Sequence, residues 1–374
     1  MKRRVEVVID LRKLVSNYRK IAAHAKPARV LCVLKANAYG LGVGAYAKAL
    51  YGAGCRAFGV AEPFEALELK KVLAGKKFDV QILSSVLPDE IPEMVKANVI
   101  LPAIDLDEAK LIDRVAKRAG KKARVHVKLD TGMGRLGILA EDALEVVPKI
   151  KALENLEVEG IFSHFPMAYD PKNPFTAGQI ARFEKIVGDL GKKGIRFKVV
   201  HIAASDAINN FPETAKKPFT QVRTGINLHG SFDPYGLKAL KVEPVLTLKT
   251  RVAQVRELPA GTTLGYGRTW CLKEKTKIAT ISAGYADGLP LALTNRGSVL
   301  IRGKRCPVVG RISMDYTTVD VSGVDGVKAG DEVVCLGESG GDAITPDDWA
   351  QLKGTHAYDI ICSFGSRVRR VVKV

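Results

Sequence analysis

The 374-residue chain has no window approaching the roughly twenty uninterrupted apolar residues of a membrane-spanning helix, so no span is expected. Its basic start, MKRRVEVVIDLRKL, leads into no continuous apolar segment, because Glu6 and Asp10 interrupt it. No signal peptide is therefore indicated. The six cysteines (Cys32, Cys55, Cys271, Cys306, Cys335 and Cys362) form no C-x-x-C pair and show no metal-ligand spacing. Five of them sit in apolar or β-rich runs, where a small buried thiol is the expectation. Together these absences describe a cytoplasmic, reduced protein without a metal centre. Acid is also scarce: 58 Lys and Arg face 40 Asp and Glu, a net charge of +18. Such an excess suits nucleic acid or an anionic membrane. Its distribution argues against both. From Gly236 to Val374 there are 20 cationic and 14 acidic residues, and the excess before Gly236 is similar in proportion to length. No basic tail exists, and the densest groups, Lys2-Arg3-Arg4 and Arg367 to Arg370, lie at the termini. A generally basic, solvated surface is expected, with no nucleic-acid partner.

What is present is an ordinary globular balance, 47% hydrophobic and 26% charged. That excludes a disordered, collagen-like or disulfide-scaffold chain. The length suits two domains, or one large barrel with an attachment. Up to about Tyr235, short β-branched runs alternate with longer segments whose apolar residues recur every three to four positions. The runs are RVLCVL (29–34), AFGVA (57–61), VQILS (80–84), VILPA (99–103), RVHVKL (124–129), VEGIFS (158–163), KVVHIA (198–203) and QVRTGI (221–226). Eight apolar strands, each followed by a helix, predict a (β/α)8 barrel over residues 1–235. The first run, VEVVID (5–10), is surplus and is expected to pair outside the barrel. Residues 236–374 change rhythm to alternating strands joined by Gly-containing turns, which predicts a mostly antiparallel β domain. Within it, ITPDDWAQLKGTHAYDIICSF reads as a helix capped by Thr345, with Pro346 at its first position.

Catalytic groups of such barrels lie just after the C-terminal ends of the strands. That rule selects Lys35 after the first strand, then Lys128, Asp130 and Arg135 at the fifth and His164 after the sixth. His201 and Ser205 belong to the seventh strand, and Arg223, Gly225 and Ile226 to the eighth. A strand-end lysine ordinarily escapes to solvent, but a desolvated one can serve as a Schiff-base amine. Ser205 and the N–H groups of Gly225 and Ile226 fall where these barrels commonly bind phosphate. An aldehyde-capturing lysine opposite a phosphate cradle points to pyridoxal 5′-phosphate.

The segments VLKANAYGLG, VKLDTGMGRLG, VRTGINLHG, LGYGRTW, AGYADGLP, GRISMD and AYDIICSFGSRV, in that order across nearly the whole chain, strongly resemble the motifs of bacterial alanine racemases. The resemblance implies that Lys35 binds the cofactor and transfers one proton. It implies that Tyr39, Ser205, Gly225, Ile226 and Tyr358 hold the phosphate. Arg223 would face the pyridine nitrogen, with His164 hydrogen-bonded to it. Tyr266, from the β domain of a second subunit, would be the opposing base, so the active protein would be a head-to-tail homodimer. Arg135 would contact the substrate carboxylate region, Met314 and Asp315 would line the substrate site from the partner, and Tyr285 would guard the entrance. Lys128 stands where many members carry a carbamylated lysine. Two departures concern specificity. Ala204 replaces a usual Asn before the phosphate-site serine, and His229 stands where Tyr is common. The implied activity is interconversion of L- and D-alanine, supplying D-alanine for peptidoglycan. A broad-specificity racemase is the main alternative. A decarboxylase of the same architecture would want an acid in place of Arg223 and a catalytic Cys motif. A barrel-only cofactor-binding protein would lack the β domain.

Overall fold

Asp10 ends the first strand, β1 (Glu6–Asp10), and starts the first helix, α1 (Leu11–His24), in a single step. Its carboxylate accepts the backbone N–H groups of Arg12 and Lys13 at the head of the helix. The computed structural model describes residues 3–232 and 236–374. After α1 the apolar runs fold as β2 (Arg29–Val33), β3 (Ala57–Val60), β4 (Asp79–Ile82), β5 (Leu101–Ala103) and β6 (Ala123–Asp130). A two-residue β7 (Ile138–Leu139) pairs beside β6, and β8 (Leu156–Phe162), β9 (Val199–His201) and β10 (Gln221–Thr224) follow.

Two parallel arcs, β10-β2-β3-β4 and β5-β6-β8-β9, account for eight strands. Backbone hydrogen bonds close the arcs into a ring. Between β4 and β5, Ile82 N–H donates to Ile100 and Ile100 N–H donates to Val80, at 3.0 and 2.8 Å. Between β9 and β10, Thr220 N–H reaches Val200 and Arg223 N–H reaches Ala203, at 2.9 and 3.1 Å. The expected eight-stranded barrel is therefore present, with both faces of each strand covered as parallel strands require.

Helix α1 precedes the first barrel strand, yet it packs beside the turn Ile226–His229 that follows the eighth. It thus fills the last place in the outer ring. Asn17, wholly buried on this helix, fixes the crossing from barrel to β domain. Its Nδ2 donates to the carbonyls of Leu228 and Glu243, at 3.2 and 2.8 Å, and its Oδ1 accepts Glu243 N–H at 2.8 Å. Gly230, at φ +81°, leaves room for this approach, since a Cβ there would sit 2.0 Å from the Glu243 oxygen.

The expected domain boundary at Tyr235 lies outside the described residues. Beyond it run β11 (Leu246–Leu258), the short hairpin of β12 (Thr263–Leu264) and β13 (Trp270–Cys271), and β14 (Thr276–Ile281). The domain continues with β15 (Ser298–Ile301), β16 (Lys304–Pro307), β17 (Thr317–Asp320), β18 (Glu332–Ser339), β19 (Asp342–Ile344) and β20 (Arg369–Lys373). The main sheet runs β16-β15-β18-β11-β1-β20 and is antiparallel except at β1/β20. The chain's first strand thus lies inside the C-terminal sheet. The stretch read as one helix is two, Pro346–Lys353 and Ala357–Cys362. Thr345 caps the first as expected, but Gly354 takes the left-handed conformation at φ +72° and returns its N–H to the helix, ending it.

Replacing Asn17 by Ala strands the buried carbonyl of Leu228 and two part-buried backbone groups of Glu243. Its expected effect is a loss of about 2–4 kcal/mol of unfolding free energy. Urea denaturation reads it directly, and an unchanged midpoint would show that the junction is held by other contacts.

Candidate active site

Lys35 leaves the end of β2 and enters a backbone conformation that L-residues avoid. Ala36, Asn37, Ala38 and Tyr39 have φ of 52, 55, 53 and 58°, and Gly40 follows at 81°. Left-handed turns of this kind cost roughly 1–2 kcal/mol per non-glycine residue, so other contacts must hold them. Buried Glu65 accepts the backbone N–H of Ala36 and those of Ala61 and Glu62, the latter two at 2.9 and 3.1 Å. Asn37 Oδ1 accepts Val43 N–H at 2.7 Å, and Arg370 Nε donates to the Gly40 carbonyl at 2.9 Å. The turn brings Lys35 and Tyr39 to the wall of one cavity.

That cavity, of about 410 Å³, opens at the C-terminal ends of the barrel strands. Four cations line it: Lys35, Lys128, Arg135 and Arg223. Tyr39, Ser205, Gly225, Tyr358 and His164 add polar groups, and Ala204 lies among the apolar wall. Among the described residues no carboxylate lines it. Glu65 is occupied by backbone donors. So is Asp130, which accepts the N–H groups of Gly132, Met133 and Arg135 at 2.8, 2.8 and 3.0 Å. Burial alone would raise the Asp130 pKa, but these donors overrule it and hold the carboxyl below its ordinary value.

The uncompensated positive charge shapes every base around it. Burial, then Arg135, lowers the Lys35 pKa. Burial, then Arg135 and Arg223, pushes Lys128 down to about 8, while its Nζ donates to the Leu83 carbonyl at 2.9 Å. Burial, then Arg223 and Arg135, holds His164 well below the usual histidine range. Arg223 itself is pushed down to about 9 by burial and stays charged at neutral pH. Its Nη2 donates to the carbonyls of Ser163 and Ile202, at 2.7 and 2.6 Å, and reaches toward His164 Nδ1 at 3.4 Å. Its Nη1 meets His201 Nδ1 at 3.1 Å.

Opposite the lysines, Ser205 Oγ accepts Gly225 N–H at 2.9 Å. A Cβ at Gly225 would lie 2.2 Å from Tyr39 Oη, so only glycine fits. Ile226, fully buried, begins the following turn without lining the cavity. Tyr358 comes from the β domain and tilts against Tyr39, ring centroids 5.7 Å apart. His229 stands behind Tyr39 rather than in the cavity. It meets the Tyr39 ring edge-on at 4.8 Å, and its Nδ1 lies 3.1 Å from Tyr46 Oη.

Four expected site residues lie elsewhere. Tyr266, Tyr285, Met314 and Asp315 are exposed on the β domain, and none lines the cavity of its own chain. Tyr266 follows the two-residue β12 and is 73% exposed, beside a shallow groove shared with Arg311, Ser313 and Tyr316. Asp315 pairs with Arg367 at 2.6 Å. Sequence reasoning missed Glu65 and gave His201 no role. The signal for Glu65 was present as Glu62-Pro63-Phe64-Glu65 at a helix start, where an acid three residues in reaches back to backbone N–H groups.

Residues 9–233 match the family model for the alanine racemase N-terminal domain, and residues 245–372 the one for the C-terminal domain. "Alanine racemase 2" of Caldanaerobacter subterraneus subsp. tengcongensis is 40% identical over 371 residues, covering 98% of this chain and 94% of that protein. An alanine racemase of Halothermothrix orenii is 37% identical over 98% of this chain and 96% of its own. Among solved structures, alanine racemase from D-cycloserine-producing Streptomyces lavendulae superposes with a TM-score of 0.93 at 35% identity, covering 100% of this chain and 98% of that one. The Bartonella henselae enzyme with covalently bound pyridoxal phosphate gives 0.90 at 30% identity, with full coverage of both chains.

The buried histidines predict acid lability. Burial first, and then nearby cations where present, holds His164 and His201 well below the usual range and pushes His126 and His229 to about 3. The unfolded chain protonates these rings below about pH 6.5 while the folded chain does not, so stability is full above that pH and falls as pH drops toward 3. Each ring contributes up to about 1.4 kcal/mol per pH unit. Unfolding free energies between pH 7 and 5 should show this slope, and a flat profile would mean that the rings accept protons in the folded protein.

Proposed function

The chain belongs to the alanine racemase family, and from that premise we propose that it interconverts L-alanine and D-alanine using pyridoxal 5′-phosphate in the barrel cavity. The observation that carries this reading is the cavity's donor set: four cations, four hydroxyls and an unsubstituted Gly225, with no carboxylate among the described lining residues. An anionic occupant with an aldehyde and a phosphate suits that set. Lys35 would hold the aldehyde. Tyr39, Ser205, Tyr358 and the Gly225 N–H, which line the cavity, would hold the phosphate, and the Ile226 N–H would have to reach it from the turn behind Gly225. Arg223 would face the ring nitrogen. When bound, this group draws electrons from the α-carbon of an amino acid and so acidifies the α-proton. Arg223 offers donors only, which moderates that withdrawal because the nitrogen gains no carboxylate-type partner. His164 steadies Arg223, and Arg135 would receive the substrate carboxylate.

Racemisation needs a proton taken from one face of the α-carbon and a proton delivered to the other. Lys35, its basicity lowered by burial and by Arg135, would serve one face. For the other face the chain offers Tyr266, which its own cavity does not include. The reading therefore requires a homodimer in which the partner subunit's Tyr266, Met314, Asp315 and Tyr285 complete the site. D-alanine for peptidoglycan is the corresponding role. The chain's place of work would be the cytoplasm; among the described residues no helix is long and apolar enough to cross a membrane. Ala204 in the cavity wall favours one second reading, a racemase that also accepts serine or larger amino acids, because it leaves that corner without a polar contact.

Hydrogen–deuterium exchange at the α-carbon in D2O, with chiral analysis, distinguishes the two. Exchange with racemisation confined to alanine is expected, whereas comparable rates on serine or lysine would select the broader enzyme. Lys35→Ala and Tyr266→Phe should each abolish racemisation. Mixing the two variants should restore it, because one site in each mixed dimer keeps both groups. Failure of mixed dimers to regain activity would remove the shared site.

Lys128 is expected to carry a carbamate. With its pKa near 8 much of the amine is neutral at pH 8. Its nitrogen can then bond to CO2 with release of a proton, leaving an anion beside Arg135. A carbamate resonance should appear with 13C-bicarbonate above pH 8 and fade as acid protonates the amine. An unmodified Lys128 at saturating bicarbonate would exclude it.

A further inference from the structure

Beneath the cavity, the barrel interior carries a polar chain that the proposed chemistry leaves unused. Arg223 Nη1 lies 3.1 Å from His201 Nδ1, His201 Nε2 lies 3.2 Å from His126 Nδ1, and His126 Nε2 lies 4.0 Å from Glu159 Oε2. All four residues are buried. A guanidinium only donates, so His201 Nδ1 presents a lone pair to Arg223 and the His201 proton sits on Nε2. That N–H donates to His126 Nδ1, which places the His126 proton on Nε2, toward the carboxylate. The reverse order would set N–H against N–H at Arg223. Burial keeps both rings neutral, aided by Arg223 at His201 and by Arg124 at His126.

The strands are shaped around this chain. Pairing of β6 with β8 shifts register at Val125/His126, so that His126 faces Gly160 and Glu159 is the extra residue. Such a bulge re-aims side chains. A Cβ at Gly160 would lie 2.8 Å from three atoms of the His126 ring, which accounts for a glycine inside a barrel strand. Phe162 stacks on His201, centroids 4.9 Å apart and planes 6° from parallel. At the far end Arg124 grips Glu159 through two hydrogen bonds, 2.6 and 3.0 Å, and Asp79 at 2.9 Å.

We propose that His126 and Glu159 are positioning residues: acting through His201, they fix the lone pair that faces Arg223, so the guanidinium is held there by a neutral acceptor and no carboxylate touches it. The link to catalysis rests on the reading of Arg223 as the group facing the cofactor ring, whereas the proton order does not. A carboxylate placed directly against Arg223 would neutralise the cation locally. Glu159 instead stays 4.0 Å from His126 Nε2 and is held by Arg124, which leaves the charge of Arg223 facing the cavity.

The test uses full-length protein labelled with 15N-histidine, with and without pyridoxal 5′-phosphate, and a chain with six histidines keeps the spectrum assignable. Two-bond 1H–15N correlations should show neutral, Nε2-protonated rings at His126 and His201, with the His201 proton shifted downfield by its hydrogen bond. His126→Asn retains an acceptor and should keep that signature and a near-normal kcat. His126→Phe should move the His201 proton upfield and lower kcat about tenfold with KM for alanine little changed, the scale seen when an outer hydrogen-bond partner of a site is lost. Glu159→Gln should shift the same resonance in the same direction by less. Protonation of His201 at Nδ1, or a His126→Phe protein with the wild-type His201 resonance and kcat, would overturn the proposal. Absence of racemisation by the unaltered protein would instead defeat the reading on which its catalytic link rests.

Discussion

Four cations converge on one cavity, and the acids close to it are occupied by backbone N–H groups. The other properties of the site follow from this imbalance. Arg223 is buried and cannot shed its charge at neutral pH, so the neighbouring bases adjust instead. Lys35 and Lys128 lose basicity and His164 stays neutral. A lysine so placed is a better nucleophile and proton carrier than one in solvent. The same imbalance makes an anionic occupant favourable, since nothing else in the wall neutralises the charge.

Keeping carboxylates out of the cavity while leaving them in the fold requires backbone work. Glu65, in the first turn of the helix after β3, and Asp130, the last residue of β6, lie beside the turns that present Lys35 and Arg135, and each is turned onto main-chain donors. In the first case these donors stabilise the left-handed turn from Ala36 to Tyr39. In the second they shape the glycine-rich segment ending at Arg135. Both acids therefore fix the positions of cations without pairing with them. The strain in the first turn is borne by Ala36, Asn37, Ala38 and Tyr39, of which only Tyr39 lines the cavity, a common arrangement where backbone conformation sets the site.

The barrel was legible because its eight strands are short, β-branched and bounded by turn residues, and because parallel strands buried on both faces cannot disguise their apolarity. Strand ends then located Lys35, Lys128, Arg135, His164, Ser205 and Arg223, whose cavity-lining positions follow from the architecture. Other features had no such signal. Two-residue strands such as β12 carry no periodicity, so the hairpin bearing Tyr266 could not be separated from a loop. Gly354 within an otherwise helical pattern was compatible with a tolerated interruption, and only the left-handed backbone decides that the helix ends there. His126 and Glu159 depend on a register shift between strands, which no single strand's pattern contains. His126 and Lys128 do alternate along β6, and that shared inward face was the one available hint.

The β domain serves both its own barrel and, in the proposed dimer, another. Because β1 pairs with β11 and β20, the chain starts in this domain, crosses to the barrel and returns, so the two units are stitched at several points. Arg370 then reaches the carbonyl of Gly40 and Tyr358 leans on Tyr39, which closes the corner proposed for the phosphate from the same chain. Beyond the hairpin of β12 and β13, whose Leu264 packs in a small apolar cluster with Leu272, Ile278 and Val309, Tyr266 stands in solvent. Tyr266, 73% exposed and outside the cavity of its own chain, is the group that the proposed dimer would bring to a second copy's cavity. On that arrangement the two proton-transfer groups approach the substrate from separate chains, and neither subunit alone presents both faces of the reaction.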